Sequence, residues 1–366
     1  MMTVMNMMEL LSAAVVVFLA ATPGPAAEAP TWLEIDGTVY GAKPDRRGPI
    51  GGGAGYKNVV TKGDYVVKDL DGLLAALKKA KAGEVVFIPG ERAIDLTARI
   101  YIEELVLEIP EGVTLAGSRG HKDSEGAQLT SDALKTPVMI RATGPNVRVT
   151  GLRLRGPNTK RYIEHHRRSF GRGGRGRTYY YKLPTSNGIR TDHPRLEVDN
   201  CEISGWSHAG VDLRKGDGHK IHHNTIHHCQ YQGLGYGVCH NTASSLIEFN
   251  LFDRNRHSIA GTGRPGCGYV ARHNVELGVS LSHCFDMHGG RDRKDGTNVA
   301  GTSIEIHNNT FRAPQTPVVI RGVPQEKCEV HHNWFVRHRS ARHAVRARAR
   351  TTVTDNAYGA KPKTAE

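Results

Sequence analysis

Two short stretches of this chain concentrate side chains that move protons beside a negative charge. The segment 255–266 (NRHSIAGTGRPG) carries Arg256, His257 and Arg264, and the segment 282–290 (SHCFDMHGG) carries His283, Asp286 and His288. Histidine exchanges protons near neutral pH, a carboxylate can orient its ring, and a guanidinium can hold a substrate carboxylate or sulfate. The chemistry to expect is acid–base catalysis next to an anion. His257 is the first choice as base, with His283 as the competing choice. His288, or Tyr236, would be the acid and Asp286 an orienting group, with Arg321 or Arg214 neutralising charge. The chain holds 20 histidines, so a lone one means little. His222, His223, His331 and His332, for example, read as coil-surface residues.

What must position these groups is a repeat. Asn200, Asn224, Asn250, Asn274, Asn309, Asn333 and Asn356 recur at spacings of 24, 26, 24, 35, 24 and 23 residues. Each closes a short run of strand period, such as LEVDN, SLIEFN or CEVHHN. A repeat of this length with strand alternation is the signature of a parallel β-helix. Asparagine suits the sharp turn because it tolerates a left-handed backbone, and in stacked coils the side chains would form a ladder. Without the polar insertion 291–301 the long spacing would also be 24.

With the asparagines as register, NGIRTD, GVDLR, GLGYG, SIAGT, CFDMH and PVVIR align as one strand repeated in each coil. Alternation then sends Ile189, Val211, Leu234, Ile259, Phe285 and Val318 inward, with Thr191, Leu213, Tyr236, Gly261, Met287 and Ile320. One outward column reads Arg190, Asp212, Gly235, Ala260, Asp286, Val319. The next reads Asp192, Arg214, Gly237, Thr262, His288, Arg321. His257 and His283 fall just before the strand, one coil or about 4.8 Å apart. The columns predict a floor of Gly235, Gly237, Ala260 and Thr262 flanked by charge. Arg190, Asp212, Arg214, Tyr236, Arg256, Arg264, Lys182 and Arg291 are the expected substrate-binding residues.

The formal net charge is +13, which favours a polyanionic partner. Residues 10–20 (LLSAAVVVFLA) are apolar but too short to span a bilayer, and small residues follow. Residues 1–27 therefore read as a secretory signal peptide, and 28–366 as a single domain. A secreted or periplasmic location makes acidic polysaccharide the expected partner and argues against nucleic acid. No membrane partner is expected, and the protein should be a monomer. Six cysteines include no Cys-x-x-Cys pair, so a zinc site is not expected. Cys239 and Cys267 fall at near-equivalent points of neighbouring coils, where they could pair or serve as small core residues.

Ahead of the repeat, residues 69–83 (DLDGLLAALKKAKAG) read as an amphipathic helix that caps the open end of the solenoid. Residues 159–184 interrupt the repeat as a basic, aromatic loop, with eight Lys and Arg against Glu164. Basic groups would attract anions and aromatic faces could stack on sugar rings.

Over residues 48–158 the chain resembles the pectate lyase superfamily, in the Gly-rich entry, the helix and strand DLDGLLAALKKAKAGEVVFIPG, VTLAGSRG and NVRVTGLRLRGPN. The resemblance implies a right-handed parallel β-helix and lytic or hydrolytic attack on acidic polysaccharides. The acidic calcium cluster and Arg-x-Pro-x-x-Arg segment of pectate lyases are not evident. Of the hydrolase branch's motifs, only RTDH (190–193) and MHGG (287–290) come near. β-Elimination of a uronic-acid polysaccharide is the leading expectation. Hydrolysis by Asp192 and Asp212, epimerisation at the same uronate proton, and non-catalytic polyanion binding are the alternatives. Calcium could replace arginine as neutraliser, with Asp192, Asp212 or Asp286 as ligands; no other cofactor is implied.

Overall fold

A computed structural model describes residues 29–362. The expected signal peptide lies outside the described residues. The chain divides after Pro30, and the unit that starts at Thr31 is a right-handed parallel β-helix. Each full coil runs through three faces. The first face includes Glu197–Asp199, Gly268–Arg272 and Ser303–His307. The second includes Glu202–Ser204, Leu251–Asp253 and Val275–Glu276. The third includes Asn187–Thr191, His257–Gly261, Phe285–Met287 and Val318–Ile320. The second face is a 10-stranded sheet, while the first and third join as an 18-stranded one. They join because Ala209–His222 and Tyr236–Glu248 run from the third face onto the first without a break.

The predicted helix spans Leu70–Lys79, with the Asp69 carboxylate accepting the Gly72 amide at 2.8 Å. Its buried Leu73, Ala76 and Leu77 pack with Val86, Ile88 and Leu107 of the first coils. It ends short of Gly83, at Ala80. Along the interior, inward residues of successive coils stack like on like. Phe311 lies over Phe335 at 5.2 Å and Phe335 over Tyr358 at 5.6 Å.

The asparagine ladder forms. From Asn224 to Asn356, each side-chain amide donates to the Oδ1 of the next rung at 2.9–3.0 Å. Two expectations need correction. The left-handed residue is usually the one before the asparagine: His223, Phe249, His273, Asn308, His332 and Asp355 have φ between 47° and 54°. Asn200 is itself left-handed at φ 54° and sits one residue out of register, so Cys201 takes the rung below Asn224. Asn200 instead holds the Gly-rich entry segment, its Oδ1 accepting the Gly53 amide at 2.8 Å. His222 and His223 are buried rather than on the coil surface, and the same segment covers His223, with the Tyr56 ring tilted against it at 5.1 Å.

Asn274 accepts the backbone and side-chain amides of Asn250 and donates to the Ile247 carbonyl. Asn274→Ala would leave those buried groups unpaired, at a cost of about 2–4 kcal/mol. Urea unfolding should show a clear drop in midpoint, and Asn356→Ala, at the partly exposed end of the ladder, a smaller one.

Candidate active site on the third face

Parallel pairing sets Ala260 beside Asp286 and Asp286 beside Val319, so the carboxylate projects between two neutral neighbours. Asp286 is fully buried, yet four donors reach it. Arg321 binds both oxygens as a fork, at 2.9 and 2.8 Å. His283 Nε2 lies 3.0 Å from Oδ1 and His288 Nε2 3.0 Å from Oδ2. Burial by itself would raise the carboxyl. The hydrogen bonds from His283 and His288, and the charge of His288, outweigh it and hold Asp286 well below the carboxylate range.

Asp292 closes the cluster from the far side, 3.5 Å from Arg321 Nη1 and 3.9 Å from His288 Nδ1. It stands on the short helix Gly290–Arg293, part of the turn that follows the strand. Arg293 ties this turn down by donating to the Thr262 and Val299 carbonyls at 2.7 and 3.0 Å. The approach is so close that a Cβ on Gly263, at φ +73°, would collide with the His288 carbonyl oxygen. Asp292 and Arg293 were not anticipated. Their signal is the insertion itself, an extra segment directly after the densest chemistry.

His257 is at the predicted place, its ring 4.0 Å from that of His283. It is nevertheless fully buried. Its Nδ1 donates to the His283 carbonyl at 2.6 Å, which leaves Nε2 as a buried lone pair without a partner. Burial first, then Arg256 and His283, push its pKa well below the usual value, so it stays neutral. A polymer cannot reach that nitrogen, and the expectation that His257 is the base is corrected: it is a support for His283. The partly exposed groups are His283 and His288, at 13% and 26% of the side chain. Burial, with Arg321 and Arg256, lowers the His283 pKa against the opposing pull of Asp286.

Tyr236 departs from its predicted register. It pairs with Ala209 and His257, four residues from the alignment expected, because the Gly233–Gly235 bend lengthens the turn. The floor between Asp212 and Asp286 is therefore Cys239 and Ala260, not Gly235. Tyr236 is buried and stacks 5.9 Å from His257. Burial pushes its phenol far above the usual range, so it backs His257 and does not act as an acid.

The remaining expected residues divide. Arg190 is committed to Asp212 at 2.9 Å, and Asp212 is 2% exposed, so this pair is structural. Arg214 is partly exposed one strand away, and Arg264, Arg291 and Lys182 are fully on the surface. The hydrolytic pair is not poised, since Asp192 is exposed while Asp212 is buried in its ion pair. Nor do Asp192, Asp212 and Asp286 make a calcium site, because two intervening strands separate Asp212 from Asp286. Donor atoms of His257, His283 and Asp286 do lie within 4.8 Å of one another. Such a mixed nitrogen and oxygen set would suit a transition metal, but the Arg321 guanidinium already fills the cation's place. All six cysteines are buried and free, so Cys239 and Cys267 do not pair.

Residues 159–184 are not a loop but two short helices, Ile163–Phe170 and Gly176–Tyr180. Tyr180 anchors this lobe, packing with Tyr231, Leu234, Tyr236, Cys239 and Ala260 against the third face. Elsewhere, a hollow of about 520 Å³ on the first face is floored by Leu246 and Val270. Its His219 has both ring nitrogens engaged with backbone groups of Leu196 and Lys215, so it offers no acid–base pair.

Residues 184–358 match the family described as the right handed beta helix region. The match supports the parallel β-helix fold and does not single out pectate lyases. No curated protein and no solved structure gives a significant match to the chain.

Proposed function

We propose that this protein is a polysaccharide lyase that cleaves a uronic-acid polymer by β-elimination, acting outside the cell as a monomer. The observation that carries this reading is the buried Asp286 carboxylate, which holds two partly exposed histidines beside two arginines on one face of the solenoid. The β-helix fold fits polysaccharide lyases and hydrolases alike and does not choose between them, so the choice rests on the site. Elimination is favoured because the accessible groups are imidazoles, whereas Asp212 and Asp286 are both buried and bound to arginine.

Each histidine that donates Nε2–H to Asp286 presents Nδ1 as its basic nitrogen. His283, kept neutral by burial and by the adjacent arginines, takes the proton from the carbon beside the uronate carboxylate. Those C–H electrons form the ring double bond, and the glycosidic C–O bond breaks. His288 enters this step as the imidazolium: its Nε2–H stays on Asp286 and its Nδ1–H, on the Asp292 side, passes to the leaving oxygen. Arg321 is spent on Asp286, so Arg256 neutralises the substrate carboxylate: among the described residues no carboxylate lies within ion-pair distance of it.

The test is absorbance near ~235 nm, where an unsaturated uronate absorbs, as the protein meets alginate, polygalacturonate and glycosaminoglycans. His288→Ala should lower kcat roughly 10²–10⁴-fold, the usual contribution of a positioned acid or base. New reducing ends without that absorbance would replace elimination by hydrolysis. The base must be unprotonated and its pKa is lowered, so activity should persist as pH falls through 6.5 and fail only below it. Arg256→Ala removes one cause of the lowering, and the acidic limb of kcat/KM should move to higher pH.

A further inference from the structure

We infer that the cleft between the helical lobe and the neighbouring coil turn is a binding subsite for an anionic sugar ring. The inference rests on the proposed action on an acidic polysaccharide and adds where the chain is held beyond the point of cleavage. The cleft, about 320 Å³, is lined by Arg161, Ile163, His166, Arg167, Phe170 and Gln232, with Gly171 at its edge.

It is a built feature rather than a loose flap. The Arg161 carbonyl accepts the Gln232 amide at 2.8 Å, and the Tyr180 hydroxyl donates to the Gln232 carbonyl. Arg161 Nη2 donates to Gln232 Oε1 at 3.1 Å and to the Leu281 carbonyl at 3.3 Å. Leu281 is two residues before His283, so the cleft adjoins the site along the same turn.

Its charge is uncompensated. Glu164, the lobe's one acid, is paired with Arg168 at 2.8 Å. Among the described residues no carboxylate lies within ion-pair distance of Arg161, Arg167 or Arg256. Arg256 sits between the two regions, since its charge lowers the pKa of His166 in the cleft as well as those of His257 and His283. Planar guanidinium forks fit carboxylate or sulfate oxygens. Phe170 adds an apolar face that is 50% exposed beside them, held by Tyr180 at 4.9 Å. Cations next to a half-exposed ring match a sugar that carries a charge on one edge and C–H groups on its face.

The experiment is calorimetric titration of hexasaccharides of alginate, polygalacturonate and chondroitin sulfate into the full chain carrying His288→Ala, which stops turnover. At least one should bind, and adding Arg167→Ala with Phe170→Ala should weaken it roughly tenfold or more, as loss of a charge-assisted contact and a stacking face requires. Arg167 is exposed and Phe170 half-exposed on the lobe, so the melting temperature should fall only slightly. A preference for chondroitin sulfate would identify sulfate as the charge read, and equal binding of alginate the carboxylate. Equal affinity with and without the two substitutions overturns the subsite, and so does failure of all three sugars to bind. Binding that the substitutions weaken, with no unsaturated product from the unmodified protein, leaves the subsite standing and removes the lyase reading. Product formation with unchanged affinity does the reverse.

Discussion

Asp286→Ala should abolish turnover and cost about 3–5 kcal/mol of stability, the range for breaking a buried ion pair from one side. Arg321 would keep its charge in a largely buried place without the fork it fits, and His283 and His288 would lose the acceptor that fixes their tautomers. The folded-state pKa of Asp286 is depressed, so it contributes stability at neutral pH that is lost as pH falls through the folded value. Wild-type stability should thus decline in acid more steeply than that of the variant. The double variant Asp286→Ala, Arg321→Met removes both charges and should recover much of the stability without activity. Recovery of activity along with stability in the double variant would show that the pair only packs the turn. Chemical unfolding at several pH values, with turnover on the same samples, distinguishes the two.

Glu276→Met should make the protein more stable, and more so as pH rises. Glu276 lies on the second face between Phe252 and Phe311 of the adjoining coils and, like them, is fully buried. Neither carboxyl oxygen has a well-formed hydrogen bond; the Ser258 hydroxyl is near enough to favour the charged form only slightly. Burial, with a small push from Asp253, raises the carboxyl from 4.5 to about 8. The sign follows from proton counts: between those two values the folded state keeps a proton that the unfolded state has lost, so stability falls as pH rises. The full loss, reached above pH 8, is of order 3–5 kcal/mol at 1.36 kcal/mol per unit of pKa. Methionine fills the same space without a charge and should flatten that slope between pH 5 and 8. Glutamine should flatten it too, but with less gain, because it still buries an unpaired amide. A slope that survives Glu276→Met would mean another group titrates.

The solenoid was legible because its physics is one-dimensional. Each coil repeats one turn, and the turn needs an asparagine whose amide satisfies backbone groups of the neighbouring coils, so the same residue recurs where the chain comes round. Strand alternation then placed Ile259, Phe285 and Val318 in the core and Asp286 outside it, as the pairing has them. The proximity of His257, His283, Asp286, His288 and Arg321 follows from counting alone. The count failed at Tyr236, where a glycine bend shifts the strand by four residues although the asparagines on either side, 26 rather than 24 apart, are spaced only two wider. It failed by one residue at Asn200, which leaves the ladder to hold the entry segment.

What the tertiary structure decided is which of the gathered groups face solvent and which partner each has taken. Repeat spacing gives neighbours but not burial, so it could not tell that His257 lies under Tyr236 while His283 and His288 remain partly open. Arg321 and Arg256 read alike in the sequence, yet one is locked on Asp286 and the other has no carboxylate beside it, because only one has an acid in the adjoining strand. The lobe over the third face obeys no repeat. Its fold depends on Tyr180 finding Tyr231 across some fifty residues of chain, a contact that no local pattern encodes. The sequence by itself determined the scaffold and the column on which the chemistry stands, since both are periodic. Accessibility, charge pairing and the anionic cleft belong to the tertiary structure, since each depends on which insertion or side chain covers the turn.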